Sequence, residues 1–186
     1  MFDYLQPTPL AVEVFTADHW IKGVVKTRHA RLSDFLNITT ETIVNVEKAE
    51  VVRLCKPRAA PVVVPLVQLA KERILFAIPH ETERAMEGRQ QKRIFAFVQK
   101  KVRQVLIGLP GFEVSGGLHQ TGDLDAREVL LVTPGQFVPI TKASIAYLLR
   151  PQASFSGEVA ILNKSYISFV FEISPEPSTE SRGGVH

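Results

Sequence analysis

The chain has 186 residues, 45% hydrophobic and 22% charged, the balance of a folded protein and not of a disordered one. A formal net charge of +3 and a pI near 9.1 permit contact with an anionic partner without demanding it. Cys55 is the single cysteine, which excludes an internal disulfide and a zinc site built on thiolates.

The first residues, Met1 to Pro7, lack the basic region and apolar core of a signal peptide. No stretch approaches the ~20 apolar residues that span a bilayer, and Pro61 and Pro65 interrupt the run Ala59–Leu66. A reduced, cytoplasmic setting without membrane contact is the expectation.

In chain order, Val12–Phe15 and Trp20–Lys26 alternate as two strands joined by a tight turn at Thr16–His19. Gly23 lies inside the second strand, where a glycine marks a bulge, a bend or a close backbone approach. Arg31–Asn37 places Leu32, Phe35 and Leu36 at helical spacing, with Asn37 as the stop. Thr42–Leu54 reads as a long β-branched strand with a bend or bulge at Lys48-Ala49. After the polar stretch Cys55–Pro61, Val62–Leu69 and Arg73–Ile78 read as a hairpin turning at Ala70–Glu72.

The same pattern then recurs. Val12, Val14, Ile21, Gly23 and Val25 fall on Val105, Ile107, Val114, Gly116 and Leu118 at an offset of 93. Ile43, Val44, Val46, Lys48, Ala49, Val51 and Leu54 fall on Phe137, Val138, Ile140, Lys142, Ala143, Ile145 and Leu148 at an offset of 94. Leu69, Lys71, Ile74 and Phe76 return to 93 at Leu162, Lys164, Ile167 and Phe169. The second helix, Asp125–Leu130, carries a capping-box pattern in Asp125 and Glu128. Gln136–Leu149 is the second long strand, and Glu158–Leu162 with Tyr166–Phe171 the second terminal hairpin.

The expected fold is mainly β: a tandem duplication of a small five-stranded β-barrel or sandwich, with one short helix per copy and a pseudo-two-fold axis between copies. The expected boundaries are 1–79 and 105–173 for the two β domains, 80–104 for a basic connecting segment and 174–186 for a disordered tail.

The connecting segment is the one feature with a binding flavour. Arg89, Lys92, Arg93, Lys100, Lys101 and Arg103 could grip a phosphate backbone while Phe95 and Phe97 stack on bases; they could equally form a solvated face. Ile94, Val98 and Val102 suit a helix and the two phenylalanines a strand, so periodicity leaves its structure open. Lys22, Lys26, Arg28, His29 and Arg31 form a second positive cluster with no equivalent near His119.

Nothing points to catalysis, a metal or a cofactor. The nearest approach to a metal cluster is His119 with Asp123 and Asp125, which reads better as a loop with acidic caps. Hydrolase, dinucleotide and P-loop motifs are lacking. Cys55 lies beside Lys56 and Arg58, which favour a thiolate, but no general base accompanies it. Trp20 is the lone tryptophan, read either as an exposed binding anchor or as a cap on the core.

The pieces Trp20-Ile-Lys-Gly-Val-Val25, Arg31-Leu-Ser-Asp-Phe-Leu-Asn37 and Arg73-Ile-Leu-Phe-Ala-Ile78 resemble a group of uncharacterised bacterial small-β domains. The resemblance covers the first copy best and implies the fold, with no activity attached. The expected role is a non-enzymatic interaction or assembly module, with a protein partner or self-association; single-stranded RNA or DNA on the basic segment is the alternative.

Overall fold

The structure, a computed structural model, describes residues 6–80, 101–120 and 122–173. The first half runs β1 (Thr8–Phe15), β2 (His19–Thr27), α1 (Leu32–Leu36), β3 (Ile43–Arg53), β4 (Val62–Ala70), a 3-10 turn (Lys71–Arg73) and β5 (Phe76–His80). The second runs β6 (Lys101–Leu109), β7 (Phe112–Gln120), α2 (Ala126–Val132), β8 (Phe137–Tyr147), β9 (Ser154–Asn163), a 3-10 turn (Lys164–Tyr166) and β10 (Phe169–Glu172). Residues 101–104, expected in the connecting segment, thus begin β6; the rest of that segment from 81, and the expected tail, lie outside the described residues.

The ten strands among the described residues form one antiparallel sheet in the order β10-β6-β7-β8-β9-β5-β1-β2-β3-β4. It is open, which corrects the barrel form of the expected five-stranded barrel or sandwich. The reason lies in β5, which hydrogen-bonds to β1 of its own half on one side and to β9 of the other half on the opposite side. The expected terminal hairpins are also corrected. β4 pairs with β3 and β5 with β1, because the 3-10 turn at Lys71–Arg73 carries the chain across the sheet and does not reverse it in place. β9 and β10 behave likewise across Lys164–Tyr166.

The pseudo-two-fold axis is a third correction. A two-fold relation would accompany the β5·β9 pairing with a twin pairing of β10 and β4, yet these two strands end the sheet at opposite edges. The halves are joined head to tail.

Within each half the ladders share a register. Val46 faces Val67 as Ile140 faces Ala160, and Ala49 faces Val64 as Ala143 faces Gly157. Lys48 and Lys142 both take the left-handed conformation, φ 50° and 49°, at a bulge that bends the long strand. Opposite that bend sit the strand-interior glycines. A Cβ on Gly23 would lie 2.5 Å from Val46 Cγ1 and 2.7 Å from the Glu47 carbonyl oxygen; on Gly116, 2.6 Å from Ile140 Cγ2 and 2.8 Å from the Thr141 carbonyl oxygen. Only glycine fits so close a backbone approach.

Each helix plugs the core of its own half, α1 through Leu32, Phe35 and Leu36 and α2 through Ala126, Val129 and Leu130. α2 opens with the expected capping box: the Glu128 amide donates to Asp125 at 2.8 Å and the Asp125 amide to Glu128 at 2.9 Å. α1 has no side-chain cap at its start and ends at Asn37. Each helix ends on a lysine from the following 3-10 turn. Lys71 Nζ donates to the carbonyls of Phe35 and Ile38, both at 3.0 Å, and Lys164 Nζ to those of Leu130 at 3.2 Å and Thr133 at 2.7 Å. An ammonium there satisfies terminal carbonyls and complements the helix dipole.

Two cores result, and β5 feeds both. Ile74 and Ala77 pack with Val14, Val46, Leu36 and Phe35; Leu75, Phe76 and Ile78 pack with Val105, Phe112, Ile140 and Ile145. Its neighbour β9 divides in the same way, sending Ile161 to the first core and Ala160 and Leu162 to the second.

Candidate interaction site: the internal joint and the two ends of the sheet

Among the sequence-predicted site residues, Arg89, Lys92, Arg93 and Lys100 lie outside the described residues. Lys101 and Arg103 lie on β6, and both are engaged within the chain. Lys101 pairs with Asp123, whose carboxyl is held below its usual range first by the lysine's hydrogen bond and then by its charge. Arg103 donates to Gln120 at 2.7 Å and to Glu172 at 2.6 Å. In the second basic cluster, Lys26 pairs with Glu47 at 2.9 Å and Lys22 lies 4.0 Å over the Trp20 ring.

The loose metal reading dissolves into three separate roles: His119 Nε2 faces Thr141 Oγ1 at 2.9 Å, Asp123 takes Lys101, and Asp125 caps α2. No group of three His, Cys, Asp or Glu gathers as a metal site among the described residues. Cys55 is exposed on the β3–β4 loop. Trp20 is half-buried, donates to Glu13 Oε2 at 2.6 Å and packs against Phe155 of the other half, centroids 5.1 Å apart.

What the fold does build is a joint. Phe76 and Ala77 of β5 lie opposite Leu162 and Ile161 of β9. Phe15 and Phe76 stack at 4.3 Å, and Phe155 and Phe112 meet them edge-on at 4.7 and 5.1 Å, so rings from both halves interlock. Phe137 and Ile161 enter the first core beside α1. Asn37 donates to the Phe137 carbonyl at 2.9 Å and accepts from its amide at 2.8 Å. Asn163 donates through its side chain to the Ile74 carbonyl, and through its amide to that of Leu75, both at 2.9 Å. The sequence marks Asn37 only as a helix stop and gives Asn163 no role at the joint; their position between halves gives both weight.

The strands left over at the sheet's two ends are the counterparts of the joined pair: β10 matches β5, and β4 matches β9. They carry exposed apolar side chains. At the β4 end these are Ile43, Val62, Val63 and Leu66; at the β10 end, Leu131, Val132, Phe169, Phe171 and Ile173. Among the described residues the other large exposed apolar side chains are Val102, Leu148 and Leu149, so the ends hold most of them. A cavity of about 540 Å³ opens between α2 and β10, lined by Leu130, Leu131, Ile167, Phe169 and Val170 with Arg127 and Lys164 at its polar side. In the first half Phe35, Leu36, Ile74 and Ala77 instead pack in one core with Phe137 and Ile161 from the other half.

A second cavity of about 530 Å³, beside Lys71, is lined by both halves and includes Glu41, Gln136 and Asn163. Burial pushes the Lys71 ammonium below its ordinary range, opposed by the Glu41 carboxylate. Its ammonium is spent on the two helix carbonyls, which makes it a structural group.

No helix among the described residues is long and apolar enough to cross a membrane. No protein-family model matches the chain, and comparison with curated proteins and with solved structures finds no match.

Proposed function

We propose that the chain is a non-enzymatic assembly module, descended from one duplicated small-β unit, whose open sheet ends take up partners by strand addition. The observation that carries this is the exposure of apolar side chains at β4 and at β10 with α2, among them Ile43, Phe169 and Phe171, whose counterparts Phe137, Phe76 and Ile78 in the other half are buried. Unpaired strand edges flanked by apolar surface are templates for another strand, and apolar patches of this kind mark interaction sites.

Duplication is supported by the shared register of the two halves, by the left-handed Lys48 and Lys142, and by the paired glycine approaches. A non-enzymatic role is supported by the engagement of His119, Asp123 and Asp125 in three separate contacts. A nucleic-acid role on the basic segment is weakened by Lys101 and Arg103, each neutralised by a neighbour.

The test is co-purification of the tagged full chain from its native cells. A partner retained by Arg28→Glu, on the remote β2–α1 loop, and lost by Phe171→Lys or Leu66→Lys supports the reading. Partners indifferent to both edge substitutions overturn it. So does salt-steep binding to single-stranded RNA that disappears when Lys92, Arg93, Lys100 and Lys101 become Glu.

A further inference from the structure

The joint inside the chain is heterologous: one kind of edge meets the other kind. The edges left without a partner strand among the described residues, β10 and β4, are one of each. We infer that the partner taken up at these ends is a second copy of this chain, β10 and α2 of one copy receiving β4 of the next, so that the internal joint is repeated between molecules.

Three observations fix the geometry. Moving the β5·β9 register by the offset of 93 places Phe169 opposite Leu69 and Val170 opposite Gln68 of the neighbour. Phe76 and Ile78 are 0% and 1% exposed beneath the joint, whereas their counterparts Phe169 and Phe171 are 43% and 51% exposed and wait for the same cover. The cavity between α2 and β10 lies where, in the first half, Phe137 is buried with Phe35 and Leu36 of α1; the counterpart of Phe137 is Ile43, 45% exposed at the start of β3 beside β4. Ile43 of one copy is the plug for the α2–β10 socket of another.

The repeated joint is a weaker version of the internal one. Asn163 and Ile161 have Ala70 and Gln68 as counterparts, Gly157 has Val64, and Phe15 and Phe155 have Gly108 and Val62. The interlocked rings and the asparagine bonds are therefore absent. Pro65 on β4 and the four-residue length of β10 further restrain the edges. Association is accordingly reversible and concentration-dependent, and, being heterologous, it builds rings or open arrays and does not stop at an isologous dimer.

This inference rests on the edge-docking reading above, and its experiment separates the two. The purified full chain is followed by sedimentation velocity over a concentration series, with circular dichroism confirming that variants fold. The mass rises above the 20.7 kDa of one chain and passes the dimer. Ile43→Lys blocks the plug and Phe171→Lys the receiving edge, both at exposed positions. Each variant alone stays monomeric, because it has only one working end. Mixed in equal amounts, the two pair through their intact ends and the mass doubles without growing further. Wild-type protein that stays monomeric at every concentration, a single variant that still self-associates, or a mixture that fails to pair overturns the inference. Where purified protein is monomeric but an edge-dependent partner still co-purifies from cells, self-pairing falls and edge docking stands.

Discussion

β5 and β10 carry closely similar sequences, Ile74-Leu-Phe-Ala-Ile78 and Ile167-Ser-Phe-Val-Phe171, and each pairs with the first strand of its own half. One is buried on both faces and divides its side chains between two cores; the other leaves its phenylalanines in solvent. Nothing local separates them. The difference is the presence of β9 alongside β5 and the absence of any described strand beyond β10, so burial here is a property of position in the sheet. A strand built to lie in the middle has been left at an edge.

The largest contrast is expected from alanine at the paired phenylalanines. Phe76→Ala costs ~3–5 kcal/mol through lost burial and a cavity among Phe15, Phe112 and Ile78. Phe169→Ala in dilute monomer costs under ~1 kcal/mol. Denaturant midpoints at low protein concentration read both, and equal losses would break the comparison.

Bonds across the joint come next. Asn37→Ala leaves the Phe137 amide and carbonyl without partners and costs about 1–3 kcal/mol. Val132 holds the matching place in α2, between the lysine-bonded carbonyls of Leu130 and Thr133 as Asn37 lies between those of Phe35 and Ile38; no described strand lies beyond β10 there, and Val132→Ala is near neutral. Features inside each half should instead respond alike. Gly23→Ala and Gly116→Ala each force a Cβ into a bulged neighbour and cost ~1–3 kcal/mol, and a clear inequality between them would mean that the halves bend differently.

The smallest effect is a pH dependence carried by Lys71 at the end of α1. Burial lowers the pKa of Lys71, so between its folded value and the ordinary 10.5 the unfolded chain binds more protons than the folded one. Stability therefore rises with pH through that window, after a penalty that is full below the folded pKa. Lys71→Met abolishes the rise, as read from thermal midpoints in an alkaline pH series.

Much of each half was legible because its causes are local. Alternation revealed β1 to β3 and β6 to β8, the Lys-Ala pairs marked the bulges, and Asp125 with Glu128 announced a cap. What escaped was pairing between distant strands. Period-two alternation says that Phe76 belongs to a strand but not whether β4, β1 or β9 lies beside it, and the three residues at Lys71–Arg73 look like a hairpin turn although they form a crossing. Charge misled for the same reason: Lys101 and Arg103 read as free cations until Asp123 and Glu172 arrive from 22 and 69 residues away. The interaction site was foreshadowed in one respect, that Phe171 stands where the first half has Ile78, a larger apolar side chain on a shorter strand.

The alternation of β5 and β9 between cores also governs how the molecule comes apart. Pulling these two strands from each other would strip Ala77 and Ile161 from one interior and Phe76 and Leu162 from the other in the same event. Neither half can melt without opening its sibling, and calorimetry should record a single cooperative transition. A protease cut within residues 81–100 should leave both fragments clasped until denaturant releases them together.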